Sequence, residues 1–197
     1  MSTAVSNLNK EVRKMSEKKL EELMVRSEEV YSGVLLHIYK DEVKLPNGNT
    51  SVREYNKHFG AVCIIPMTDD GKVILERQYR YPLHEVITEI PAGKLDSPDE
   101  DPLSAAQREL REETGYTADT WVGLGEFRGA AAYSNERIWM YLAKGLTKGE
   151  RELDDDEFLD VFALPLSDAV EEVMSGKISD GKTIAAVLKV NELMRRN

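Results

Sequence analysis

The sequence predicts an α/β protein in which mixed strands and few helices are layered as a sandwich, preceded by a small antiparallel strand unit. Three observations carry that expectation. Short apolar runs separated by turn residues recur from Gly60 onward, one sharply bounded helix follows Asp101-Pro102, and Leu45-Pro46-Asn47-Gly48-Asn49 has the composition of a hairpin turn.

Residues 1–8 are mostly small and polar and are expected to be disordered. Over residues 9–27, Val12, Met15, Leu20, Leu23, Met24 and Val25 form a helical stripe among charges. Valines, leucines, isoleucine and tyrosines predict a strand over residues 30–39, and residues 51–56 return after the hairpin turn. The resulting unit, residues 28–57, is too small to bury its own face, so it should pack on the main domain or on a second chain. The expected division is therefore residues 1–57, an N-terminal helix and strand unit suited to dimerisation, and residues 58–197, the main domain.

In the main domain, residues 61–67 read as a buried strand, Asp69-Asp70-Gly71 as a turn and residues 73–79 as the return. Another short strand, residues 86–90, ends at Pro91. Asp101 can cap a helix that Pro102 starts and Gly115 stops, over residues 102–114. Strands follow near 121–128, 138–143 and 158–164, and helices near 167–174 and 182–193 close the chain.

The 102–114 helix carries the most informative chemistry. Glu109 and Glu113 are four residues apart and Glu112 lies three from Glu109, so all three share a face. Like charges at that spacing repel, and a packed face has no use for them unless something positive sits there. Oxygen-only, carboxylate-rich ligands suit Mg²⁺ or Mn²⁺ rather than zinc or copper. On spacing alone, a solvated acidic face is an equal alternative.

The whole segment, Gly93 to Glu100 and then Arg108-Glu109-Leu110-Arg111-Glu112-Glu113-Thr114-Gly115-Tyr116, resembles the signature box of the Nudix hydrolases. Two departures stand out. The spacing from Gly93 to Glu100 is one residue too long, which predicts an enlarged loop at Asp96-Ser97-Pro98-Asp99, and Tyr116 takes a position that is usually aliphatic. The resemblance implies a Nudix α/β/α sandwich and two or three Mg²⁺ ions, or Mn²⁺, per active site. It further implies Glu109 and Glu113 as principal metal ligands, Glu112 as ligand or bridge, and the backbone carbonyl of Ala92 as a further ligand. Arg108 would tie the helix to the loop through Glu100 or a nearby carbonyl, and Gly93 would permit the close approach that aims the Ala92 carbonyl.

Splitting a diphosphate next to carboxylates requires divalent cations between the two sets of negative charge. In ADP-ribose pyrophosphatases of this family a separate acidic loop positions or deprotonates the water. Here Glu152-Leu153-Asp154-Asp155-Asp156-Glu157-Phe158 matches it, with Glu157 the better choice and Asp155 the reserve.

Beyond the box, the resemblance to bacterial ADP-ribose pyrophosphatases runs from about residue 27 to residue 191, through Arg53-Glu54, Arg77-Gln78-Tyr79-Arg80 and Glu89-Ile90-Pro91-Ala92-Gly93. It implies substrate contacts from Arg53 and Arg80 to the diphosphate or terminal ribose, from Glu54 on the adenine side, and from Glu89 near the metal site. Arg77 is better read as a surface residue, and either Tyr31 or Tyr39 could stack on adenine. In such enzymes the N-terminal strands cross to the partner subunit, which implies a homodimer. Ala130-Ala131-Ala132 stands where ADP-ribose-specific relatives usually have Ser-Pro-Gly, so a broader nucleoside diphosphate sugar pyrophosphatase is the alternative. A non-catalytic nucleotide sensor is less favoured, because every carboxylate of the box is present.

Composition sets the outer bounds. A formal charge of −10, with basic residues interleaved among acids, argues against nucleic-acid partners. The lone Cys63 lies in an apolar run and is expected to be a buried, inert thiol. The sequence shows no long apolar stretch or leader pattern, so the expectation is a cytoplasmic protein without a membrane partner.

Overall fold

The computed structural model describes residues 19–153 and 157–196. They form two compact units, one built from the residues up to His58 with Ala130–Asn135, the other from Phe59–Gly129 with the chain from Glu136 onward. Residues 9–18 of the expected helix, and Asp155, lie outside the described residues.

The first unit is a three-stranded antiparallel meander of β1 (Leu23–Ser32), β2 (His37–Lys44) and β3 (Thr50–Asn56) in that spatial order. Two sequence expectations change here. Residues 23–27, assigned to a helix, begin β1, and residues 33–36, assigned to a strand, form the β1–β2 turn, closed by Gly33 N–H donating to Leu36 O at 2.9 Å. The apolar run Val34-Leu35-Leu36 masks that turn in the sequence, and pairing with β2 outweighs the local helical stripe because it satisfies the β1 backbone. The β2–β3 hairpin is as expected, with Leu45 N–H donating to Asn49 O at 2.8 Å. Ala130–Asn135 joins this unit through Asn56 N–H to Tyr133 O, 2.9 Å, and His58 N–H to Asn135 Oδ1, 2.7 Å.

The second unit contains β4 (Ala61–Pro66), β5 (Lys72–Arg80), β6 (Glu85–Glu89), β7 (Ala92–Lys94), α1 (Pro102–Thr114), β8 (Tyr116–Phe127), β9 (Ile138–Lys148), β10 (Leu159–Pro165), α2 (Leu166–Met174) and α3 (Gly181–Arg196). A mixed four-stranded sheet has the order β7-β4-β9-β8, with β4 parallel to β9, and an antiparallel sheet has the order β10-β5-β6. β7, which the sequence presented as loop, is a three-residue strand held by Val62 and Cys63.

β4 explains the layering. All six of its residues are buried, and alternation sends Cys63 and Ile65 to one face and Val62 and Ile64 to the other. The first face packs with Leu75, Ala169, Val173, Val187 and Val190 from β5, α2 and α3. The second packs on Ala105, Ala106 and Leu110 of α1. Each full burial of a Val, Ile or Leu contributes about 1.5–3 kcal/mol. The result is the expected α/β/α sandwich. Burial pushes the Cys63 thiol up to about 12, which keeps it protonated. No helix among the described residues is long and apolar enough to cross a membrane.

Candidate active site

α1 is positioned by its caps. Asp101 accepts from Ser104 N–H at 2.9 Å, and Gly115 ends the helix at φ 75° while its N–H donates to Arg111 O at 2.8 Å. The apolar side of α1 lies on β4, so its acidic side is left facing the β7 end of the sheet.

There the helix meets β7 at very close range. A Cβ on residue 93 would run into the carboxylate of Glu109, so any side chain there would have to push Glu109 off its place beside Arg108. One residue earlier, Ala92 N–H donates to Glu113 Oε2 at 2.9 Å. Arg108 gathers the loop: Nη1 donates to Glu109 Oε1 at 2.8 Å and Glu112 Oε2 at 3.1 Å, while Nη2 reaches Lys94 O at 3.2 Å and Glu100 Oε1 at 3.3 Å. Glu100 Oε2 in turn accepts from Asp96 N–H at 2.6 Å, which closes the loop enlarged by one residue.

The electrostatics are those of crowded, buried acids. Burial pushes Glu109 up to about 7, against the pull of Arg108. Glu113 is 4% exposed, and burial, then the charges of Glu76 and Glu109, hold its carboxyl well above the usual range. Glu157, two residues before β10, adds a further push on Glu76, Glu109 and Glu113, so its charge acts on this cluster.

A second set of side chains lies on β5, β6 and the start of α3. Arg80 Nε donates to Glu89 Oε2 and Lys182 Nζ to Glu89 Oε1, both at 2.7 Å, so the buried Glu89 bridges two cations. Lys182 also donates to Asp180 Oδ2 at 3.1 Å, and Thr183 Oγ1, a donor to that same Oδ2 at 2.6 Å, accepts from Ile90 N–H at 3.0 Å. Despite burial, Asp180 and Glu89 hold the Lys182 ammonium above its ordinary range.

Sequence reasoning missed Glu76, Asp180 and Lys182. Glu76 could have been flagged because a charge interrupts the apolar run Val73-Ile74-Leu75. Lys182 and Asp180 sit in an ordinary helix-start sequence and leave no such signal. Arg77 is a surface residue, pairing with Asp160 at 2.9 Å and lying 4.2 Å over the Phe162 ring.

Arg53 and Glu54 fall in β3 of the other unit, both exposed. Arg53 donates from Nε and Nη2 to the two carboxylate oxygens of Glu22 at 2.8 and 2.5 Å. Tyr39 stacks on Tyr55 with ring centroids 5.9 Å apart, and Tyr31 is 57% exposed.

Among the described residues, no three Asp, Glu, His or Cys side chains converge as a ready metal cage. Arg108 holds Glu109 and Glu112 in ion pairs, and Ala92 N–H occupies one oxygen of Glu113. The donor chemistry nevertheless fits a hard divalent cation. The groups are carboxylates, they are crowded against one another, and Glu76 Oε2 is buried without a hydrogen-bond partner among the described residues.

Comparison with known proteins agrees with the box and the sandwich. The NUDIX domain model matches residues 57–187. The chain belongs to the Nudix family. A Bacillus subtilis (strain 168) ADP-ribose pyrophosphatase is 42% identical over 172 residues, covering 86% of this chain and 92% of that protein. A Bacillus methanolicus methanol dehydrogenase activator is 42% identical over 182 residues, covering 90% of this Nudix chain and 98% of the activator. A crystal structure of an ADP compounds hydrolase shares the fold, with a TM-score of 0.79 over 90% of this chain and 96% of that one, at 24% identity. Divalent cations are the general requirement of Nudix hydrolases.

Proposed function

We propose that this Nudix protein is a divalent-metal-dependent pyrophosphatase of nucleoside diphosphate sugars that hydrolyses ADP-ribose to AMP and ribose 5-phosphate. The observation that carries the reading is the buried acidic face of α1, with Glu109 against Gly93 and Glu113 on the Ala92 N–H. Crowded buried carboxylates need compensating positive charge, from protons or from a bound cation, and a cluster facing one spot is suited to the cation. The 42% identical ADP-ribose pyrophosphatase supports the substrate class.

In this reading Glu109, Glu113, Glu112 and the Ala92 carbonyl would hold the cations, which would supply polarisation of the diphosphate and a lowered pKa of the attacking water. Arg108 steadies the loop and the two carboxylates it pairs with. Arg80, braced by Glu89, offers its remaining N–H groups to the diphosphate. Glu157 orients the water and takes its proton, with Asp155 as reserve. Arg53 and Glu54 serve the substrate of a partner copy in a homodimer. The fully exposed β1, with Leu23, Met24, Val25, Val30 and Tyr31, supports that assembly.

The test is a substrate panel of ADP-ribose, GDP-mannose, UDP-glucose, dinucleoside polyphosphates and nucleoside triphosphates with Mg²⁺ and Mn²⁺. AMP and ribose 5-phosphate from ADP-ribose, at the highest kcat/KM, is the expected result. Ala130-Ala131-Ala132 favours the one alternative, a broader nucleotide-sugar range, and faster turnover of GDP-mannose or UDP-glucose would establish it. ADP-ribose binding in calorimetry with no product over hours in Mn²⁺ would instead make the protein a sensor. Sedimentation as a fully active monomer at micromolar concentration would overturn the homodimer.

A further inference from the structure

Glu76 is an acid where packing calls for a hydrophobe. It lies in β5 opposite Glu89 of β6, follows the buried Val73, Ile74 and Leu75, and is 1% exposed. Each neighbouring buried acid has a partner. Glu89 holds Arg80 and Lys182, and Glu113 holds the Ala92 N–H. Glu76 Oε2 has none, and among the described residues it is the sole buried side-chain nitrogen or oxygen atom so left. Such an atom is rare in a native fold and points to a catalytic role or to a water or ion that satisfies it.

Strand alternation puts Glu76 on the face of β5 that carries Ile74, and Ile74 lines one cavity with Thr114, the residue after Glu113. After burial, the Glu76 charge is the largest influence raising Glu113, and Glu157 acts on both. Arg80 and Lys182 pull the other way, yet their hydrogen bonds here go to Glu89, from Arg80 Nε and Lys182 Nζ, and from Lys182 to Asp180. The unsatisfied oxygen therefore belongs to the same acidic pocket as Glu113, on the sheet side of it.

We propose that Glu76 is a further ligand of the divalent cation that Glu113 serves, contributed by the sheet opposite the signature helix. A carboxylate on β5 would add negative charge and a rigid oxygen to a site whose other side chains come from one helix and one loop, tightening cation binding. This assignment rests on the metal-dependent reading above, and the experiment separates the two.

Chelator-treated protein is titrated with Mn²⁺, free Mn²⁺ is followed by electron paramagnetic resonance, and melting is recorded with and without Mn²⁺. Glu76→Gln should weaken Mn²⁺ binding at least ~10-fold and shrink the Mn²⁺-induced rise in Tm. Its metal-free Tm should equal or exceed that of the parent, because the amide cannot ionise beside Glu89 and Glu113 and can donate to a carboxylate. Glu76→Asp should recover part of the Mn²⁺ affinity, and provides the comparison should the glutamine variant fold poorly. Unchanged Mn²⁺ affinity, stoichiometry and Tm rise in Glu76→Gln would overturn the assignment alone. A lower metal-free Tm with Mn²⁺ affinity retained would do the same, making Glu76 a structural group. No Mn²⁺ binding by the parent protein would overturn the metal-dependent reading together with it.

Discussion

Gly93 and the carboxylate of Glu109 touch without room for a methyl group between them. The bare backbone of β7 thereby lets the Glu109 carboxylate lie directly against the segment that carries the Ala92 carbonyl.

Gly93→Ala should therefore act on the site more than on the fold. The methyl group must displace Glu109 or part β7 from α1, and a misplacement of about 1 Å in such a site costs roughly 10²-fold in rate. Steady-state kinetics and Mn²⁺ titration of the variant check this. A variant with parental kcat and Mn²⁺ affinity would show that the contact relaxes without consequence.

Glu113→Gln should lower kcat by about 10³ by removing charge that faces a cation during phosphoryl transfer. The amide oxygen can still accept from Ala92 N–H, and one of several mutually repelling buried acids is gone, so the metal-free Tm should hold or rise. Calorimetry on chelated protein, set beside the rate, separates the two effects.

Glu157→Gln should lower kcat while changing Mn²⁺ affinity much less than Glu113→Gln does, as a water-orienting base requires. Comparable loss of Mn²⁺ binding in both variants would make Glu157 a ligand and transfer the water-orienting role to Asp155.

Stability of the metal-free protein should fall as pH rises from about 5 to 8. In the unfolded chain, Glu76 and Glu109 lose their protons near 4.5, whereas in the fold burial delays this to about 8 and about 7. Between those values the folded state holds more protons. Stability present below the unfolded pKa is lost as pH rises through the folded one, by on the order of a few kcal/mol. Urea denaturation at stepped pH measures the slope. A flat or rising profile would contradict the burial of these acids.

Lys182→Met should destabilise the fold by about 3–5 kcal/mol, because it strips Glu89 and Asp180 of a shared buried cation. Urea denaturation at one pH is sufficient. A loss below 1 kcal/mol would mean that Arg80 alone satisfies Glu89.

Where residues close in sequence carried the signal, the sequence was enough. α1 and both of its ends follow from Asp101, Pro102 and Gly115, whose effects act within one turn. β4 was evident because a strand buried on both faces reads as an unbroken apolar run. The Glu109, Glu112 and Glu113 face follows from helical spacing alone, and the family from the box around it.

Tertiary structure decided what depends on distant partners. The turn at residues 33–36 and the β1 strand at 23–27 were misread because apolar content does not distinguish a strand from a turn between strands. β7 escaped notice because a three-residue strand exists only by virtue of its pairing with β4. Lys182 looks like an ordinary surface charge in the sequence, and Glu76 shows only as a charge beside the apolar run Val73-Ile74-Leu75. Only the fold buries them, because it packs β5, β6 and the start of α3 together, and desolvation converts the two side chains into an unsatisfied acid and a buried cation.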